Sequence, residues 1–202
     1  KDYLNSLESV QVKYKPKSYN SFVSPGAKFE FEIDIMDMES KDATSNTRYG
    51  LVAIDNFTKI AEVVPIKNRT PEAMIEGFKQ IFISMGKPKQ LYSDEESSLR
   101  SAKMNRFLND NEIKSIQTTT HAHTVERFIR TFKDNLYRRL DALNEDKSDW
   151  VKHVSSIIKK YNSTEHSTTQ IKPNEAGKKD NHLWVNWHLQ NNAKRNRKYP
   201  DI

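Results

Sequence analysis

The sequence predicts an α/β domain: one central, mixed, five-stranded sheet flanked by helices. Three observations carry that prediction. Phe29, Phe31, Ile33 and Ile35 alternate with Glu30, Glu32 and Asp34, the period of a half-buried strand. Apolar runs at residues 49–55 and 60–65 follow at once, so the strands come first. Beyond residue 70 helical and strand-like segments alternate, and the chain then turns to helices, an order that wraps helices around a single sheet.

Residues 1–27 are rich in Lys, Tyr and Ser without a sustained period, and read as a basic connecting arm with one short strand near 10–14. The first sheet strand is expected over 28–36. Residues 41–46 are polar and turn-like. The runs 49–55 and 60–65, joined by residues 56–59, suggest an antiparallel hairpin, making a three-strand meander. Thr70-Pro71 starts a helix, because Thr can cap it and Pro fills the first turn where its missing N–H costs nothing. That helix should reach Met85, burying Met74, Ile75, Phe78, Ile81 and Phe82, and stop at Gly86.

A short strand over 89–93 comes next, then a short helix over 101–109 with Met104, Phe107 and Leu108 inward, and a strand over 113–118. After a loop at 119–124 a long helix is expected from 125 to 143. Ser148 is placed to cap a further helix over 149–161, with Trp150, Val151, Val154, Ile157, Ile158 and Tyr161 on one stripe. Residues 162–172 read as loop and 173–177 as one helical turn. The core domain is therefore assigned to 28–177, and 178–202 to a basic C-terminal extension carrying Lys194, Arg195, Arg197 and Lys198.

Composition narrows the function classes. The hydrophobic share is 35% even with Tyr counted, below the usual share of about 45–50%, which suits a real core with polar extensions. A net charge of +6 points toward a polyanionic partner. The absence of cysteine removes disulfides, thiol catalysis and cysteine-ligated zinc, and fits an intracellular protein. The apolar runs are too short to span a bilayer, so no membrane partner is expected. The opening Lys-Asp-Tyr-Leu-Asn does not read as a secretory signal, and a start without Met is expected of an excised fragment.

Three acids occupy suggestive contexts. Asp34 lies in the alternating strand, Asp94 ends the run Gln90-Leu-Tyr-Ser-Asp94, and Glu126 opens a basic amphipathic helix. Carboxylates at two strand positions and on a nearby helix can converge on two divalent cations, the arrangement of phosphodiester chemistry. On the long helix Val125, Phe128, Ile129, Phe132, Leu136 and Leu140 form the core face. Glu126, Arg130, Lys133 and Tyr137 line the adjacent stripe. Taken alone, that stripe reads as an ordinary i,i+4 ion-paired surface, and the two strand aspartates and the resemblance below reverse that. Asp37 and Asp55 are rival carboxylates, read as turn or hydrogen-bonding residues. His121 and His123 read as loop residues, and Trp184, Trp187 and His188 as packing or partner contacts.

Several stretches together resemble the retroviral-type integrase catalytic core, whose fold is ribonuclease H-like, across residues 29–177. Asp34, Asp94 and Glu126 match its acidic triad in order, the last two 32 positions apart (126 minus 94). Ala53-Ile-Asp-Asn-Phe-Thr-Lys59 and Val63-Val-Pro-Ile-Lys67 are similar to the family's second and third strands. Tyr161-Asn162, His166-Ser167 and Pro173 follow the core as in the family. Phe31-Glu-Ile-Asp-Ile-Met-Asp-Met38 and Val125-Glu-Arg-Phe-Ile-Arg-Thr-Phe-Lys133 are most similar to Maverick/Polinton elements and virophages. The chain departs after Asp94, where Glu95-Glu-Ser-Ser98 replaces the family's Gly-containing turn and offers Glu95 as a competing ligand.

The resemblance implies an enzyme that trims element DNA ends and transfers the exposed 3′-hydroxyl into target DNA. It implies two Mg²⁺ or Mn²⁺ ions held by Asp34, Asp94 and Glu126, with Arg130, Lys133 and Tyr137 toward element DNA. Lys194, Arg195, Arg197 and Lys198 would add phosphate attraction. Partners implied are double-stranded DNA and further copies of the chain, as a dimer or higher homo-oligomer, with action in the nucleus if the host is eukaryotic. Two alternatives share the fold: a domesticated DNA-binding relative without catalysis, and a ribonuclease H-type nuclease.

Overall fold

The sheet is assembled outward from β1 (Glu30–Asp37), its middle strand. A computed structural model of the chain describes residues 23–94, 100–118 and 123–196, with the side chains of Asp94, Thr118 and Asn196 outside that description. β2 (Tyr49–Asp55) and β3 (Ala61–Ile66) follow β1 as an antiparallel meander. α1 (Pro71–Met85) then crosses to β4 (Gln90–Asp94), and α2 (Ala102–Asp110) to β5 (Lys114–Thr118). Both of those strands run parallel to the middle one, giving the order β3-β2-β1-β4-β5. The mixed five-stranded sheet is as the sequence indicates.

Four further helices complete the described chain: α3 (His123–Leu143), α4 (Val151–Ser163), the single turn α5 (Pro173–Ala176) and α6 (His182–Asn196). Each sheet face has its own core. On one, Phe31, Ile33 and Ile35 of β1 meet Met74, Phe78 and Ile81 of α1 and Met104 and Leu108 of α2. On the other, Met36, Val52 and Val63 meet Phe128, Phe132 and Leu136 of α3 and Val154, Ile157 and Ile158 of α4.

Local signals explain most of the boundaries. Thr70 accepts from the Ala73 N–H, Pro71 occupies the first turn, and Gly86 ends α1 at φ 83°. Ser101 caps α2 through the Met104 N–H at 3.1 Å.

Other expectations need correction. β1 is not half-buried: Glu30 and Glu32 are only 6% and 8% exposed, because α3 and α4 cover the face they share with Met36. The long helix begins at His123, two residues early. The cap before α4 is Asp146 rather than Ser148; its carboxylate accepts from the Ser148 N–H at 2.8 Å and closes a 3₁₀ turn over Lys147–Asp149. Residues 182–196 form α6, which packs back through Val185 and Leu189 beside Phe57 and Ala176. The expected strand at 10–14 lies outside the described residues.

Two polar devices close the face under α4. β3 is an edge strand, and the Asn162 amide completes it as a neighbouring strand would. Its Oδ1 accepts from the Ala61 N–H at 3.0 Å, and its Nδ2 donates to the Ala61 carbonyl at 2.9 Å. Nearby, the β2–β3 turn buries Lys59, whose charge Glu32, Asp55 and Glu30 oppose, while burial itself pulls its pKa down. Asp55, 2% exposed, accepts from the backbone N–H groups of Lys28 and Phe57. Burial nevertheless pushes its carboxyl up, as it does that of Glu30.

His166 faces this cluster. Burial, with Lys59 and Arg127 adding repulsion, lowers its pKa from 6.5 to about 4. The Thr168 N–H donates to its Nδ1 at 3.1 Å, a bond the doubly protonated ring cannot accept.

Asn162→Ala leaves two buried backbone groups unsatisfied and should lower unfolding free energy by about 2–4 kcal/mol in urea titrations, one to two per group; a loss under about 0.5 kcal/mol would reject the edge-completing role. For His166 the sign follows from a folded pKa below the unfolded one: the unfolded chain takes the proton first as pH falls. Its contribution is whole above pH 6.5 and declines toward pH 4, at up to about 1.4 kcal/mol per pH unit. Across that window the parental chain should lose stability relative to His166→Asn. Parallel stability curves for the two chains would exclude a buried neutral His166.

Candidate carboxylate site

β1 and β4 bring two of the three sequence-selected acids side by side along the backbone. Their parallel register pairs Ile33 with Ser93. The pairing ends there, and Asp34 and Asp94 are the next residue on each of the two adjacent strands. Asp94 is the last residue of β4 and pairs across to Thr118 of β5. The Asp34 Oδ1 accepts from the Ile35 N–H at 2.7 Å. Unlike its neighbours in the middle of β1, Asp34 is partly exposed.

The third acid arrives on α3, and the way that helix is seated decides where it lies. Glu32 Oε2 accepts from the N–H groups of both Thr124 and Val125, at 2.7 and 2.9 Å. Two otherwise orphaned first-turn donors are thus satisfied by a carboxylate on the central strand. Further along, Lys133 Nζ donates to the Asp37 carbonyl at 2.9 Å. α3 is tied to β1 at residues 32 and 37, on either side of Asp34. Glu126 directly follows the tethered Val125, while Asp34 is the next residue after Glu32 on that face, about 7 Å along the strand. The Glu126 side chain is 38% exposed, with His123 Nδ1 3.9 Å from its Oε2.

Glu32 and Lys59 are the functional-region residues that the sequence reading missed. Glu32 carried a signal, since it shares the parity of Asp34 in a strand whose other face is wholly apolar. Lys59 carried none: a lysine in a polar turn gives no sign of burial.

The remaining candidates fall into place differently. Arg130 is exposed on α3, one turn beyond Glu126. Tyr137 is half-buried on the same helix, with Lys147 Nζ 5.2 Å above its ring, and burial pushes its hydroxyl pKa up. Lys194 and Arg195 are exposed in the last turn of α6, and Arg197 and Lys198 lie outside the described residues. Asp37 pairs with Arg48 at 2.8 Å and Arg69 at 3.8 Å. Trp184 donates to the Thr169 carbonyl, and its ring and that of Trp187 lie 4.6 and 4.7 Å from His188. His121, Glu95 and Glu96 lie outside the described residues.

Among the described residues no three His, Asp or Glu side chains are grouped to hold a metal ion. The Asp94 side chain is not among them. The chemistry of the intended donors is suitable: carboxylate oxygens, without thiolate or imidazole, suit Mg²⁺ or Mn²⁺. No helix among the described residues is long and apolar enough to cross a membrane.

No protein-family model matches the chain. It is similar to the retrovirus-related Pol polyprotein from transposon 297 of Drosophila melanogaster, 26% identical over 148 residues, which are 71% of this chain and 13% of that protein. It is also similar to the Pol polyprotein from transposon gypsy of the same species, 27% identical over 178 residues, 85% of this chain and 17% of that one. The chain thus spans under a fifth of either relative.

Solved structures agree on the fold. The HTLV-2 integrase catalytic core domain in complex with magnesium, in its dimeric form, aligns with a TM-score of 0.64 at 18% identity, covering 77% of this chain and 99% of that one. Its trimeric form gives 0.63 at 17% identity, over 76% and 98%. The simian T-cell lymphotropic virus intasome in complex with PP2A regulatory subunit B56 gamma gives 0.68 at 18%, over 87% and 66%. The fold is the ribonuclease H-like fold of integrase catalytic cores.

Proposed function

We propose that this chain is the catalytic core of a retroviral-type DNA integrase, a polynucleotidyl transferase that processes element DNA ends and joins them to target DNA. One observation carries the reading: Asp34 and Asp94 each directly follow the last paired residues of adjacent parallel strands, and the helix turn bearing Glu126 is tethered to the strand that carries Asp34. Similarity to two transposon Pol polyproteins supports it.

Asp34, Asp94 and Glu126 would hold a pair of Mg²⁺ or Mn²⁺ ions. When bound, such ions supply a nucleophile active at neutral pH and neutralise charge on the leaving oxygen of an in-line displacement. The rest falls to the chain itself. Arg130, one turn along α3, offers a guanidinium to the phosphate backbone entering the site. Lys133 and Tyr137 continue that stripe, and Lys194, Arg195, Arg197 and Lys198 add attraction indifferent to sequence.

The partners proposed are double-stranded DNA and other copies of the chain, with action in the nucleus if the host is eukaryotic. The stretches 31–38 and 125–133 favour a source of the Maverick/Polinton or virophage kind.

Glu126→Gln keeps the size of the side chain and removes its charge. In a joining assay with duplexes copying the element's ends and Mg²⁺ or Mn²⁺, it should lower the rate by about a hundredfold or more, exceeding the loss typical of an outer-shell partner, with folding and DNA affinity retained. Joining at the parental rate would remove Glu126 from the site. Arg130→Ala should weaken DNA binding alike across sequences and flatten the slope of log affinity against log salt by about 0.9. An unchanged slope would place the DNA elsewhere.

A further inference from the structure

We infer that Glu32 is a positioning residue for Glu126, fixing the metal-holding carboxylate on α3 relative to Asp34; the inference rests on the integrase reading above. A helix of this length ordinarily takes its cap from the residue just before it. Here Ala122 precedes the helix, and a methyl group has no acceptor. Acceptors for the Thr124 and Val125 N–H groups come from the central strand, 92 and 93 residues earlier in the chain. One oxygen of Glu32 receives both bonds, and its charge also acts on the buried Lys59, opposing the effect of burial there.

Such an arrangement does more than stabilise. A local cap would move with its helix, whereas Glu32 references the first turn of α3 to β1, the strand that also carries Asp34. A single residue, Ile33, separates Glu32 from Asp34, and one peptide separates the tethered Val125 from Glu126. The linkage between the two acids therefore contains one side chain and short runs of regular backbone. Misplacement by about 1 Å at a reacting centre can cost a hundredfold, so this linkage bears on chemistry.

Three substitutions separate positioning from bulk stability. Glu32→Gln keeps an oxygen able to accept both N–H groups. Glu32→Asp keeps the charge opposite Lys59 but withdraws the acceptor by about 1.5 Å, one carbon–carbon bond. Glu32→Ala removes the cap. The readouts are Mn²⁺ affinity by calorimetry or electron paramagnetic resonance, joining rate, DNA affinity, and amide exchange at residues 124–126, all below the unfolding temperature.

The Gln form should stay within about threefold of the parental chain in joining and Mn²⁺ affinity while melting more easily, because Lys59 loses a counter-charge. The Asp and Ala forms should lose about 10–100-fold in joining and tenfold in Mn²⁺ affinity, as for other supporting-shell changes. DNA affinity should hold, and exchange should quicken at residues 124–126. An Ala form that is merely easier to melt, with parental Mn²⁺ affinity and joining, would overturn the inference. If the Ala form does not fold, an Asp form with parental Mn²⁺ affinity overturns it equally. A parental chain that binds Mn²⁺ but joins no DNA defeats the integrase reading alone, because the metal and exchange arms still test Glu32. A parental chain that binds no Mn²⁺ defeats both.

Discussion

β1 is paired along both edges and covered on both faces over most of its length, so the polar side chains buried on it must find partners inside the protein. Glu30 does so by accepting from the side-chain amides of Asn56 and Gln90. Glu32 does so by taking two N–H groups from the start of α3. Asp34, next on the same face, is the point at which the strand opens toward solvent. Two carboxylates are thus spent on holding turns and helices, and the third is left at an accessible position. That division fixes the Asn56 turn, the β4 edge and α3 around one short stretch of strand, and it gives Asp34 its surroundings.

Much of this was legible in the residues, and the parts that were not share a cause. Strands, crossover helices and their caps follow from local signals: alternation in β1, Thr70-Pro71 at α1, Ser101 at α2. Burial of the polar face of β1 does not, because strand periodicity reports two unlike faces and says nothing about whether a helix arrives to cover the second. The Asn162 clamp on β3 and the Glu32 cap on α3 each join residues about a hundred positions apart, beyond any local pattern. α6 was legible in principle. Val185, Leu189 and Ala193 recur every fourth residue, but the exposed Trp184 and Trp187 between them blur the stripe.

Lys59 shows how a buried charge is tolerated at the base of this region. Burial alone would favour the neutral amine, and Glu32, Asp55 and Glu30 push the other way. Removing one of these partners is the costly change, since it strands the others in a poorly solvated place. His166 stays neutral beside the same cation, with Nδ1 taken by the Thr168 N–H. Charge under this face is therefore set by a closed group of side chains, and Glu32 belongs both to that group and to the seat of α3.

The basic balance of the chain reads differently once α3 is resolved into faces. Arg127 lies near enough to Lys59 and His166 to repel both. Lys133 is bound to the Asp37 carbonyl, and Arg139 donates to His153 Nδ1 at 3.0 Å, with His153 in turn against Glu145. Lys133 seats the helix through one of its three N–H donors, and Arg139 is engaged with His153. A net positive charge therefore overstates the charge available to a phosphate backbone, since part of it is engaged within the fold. Exposed positions such as Arg130 matter more than their number suggests, and any DNA path across this face is set by where they stand relative to Asp34 and Glu126 rather than by total charge.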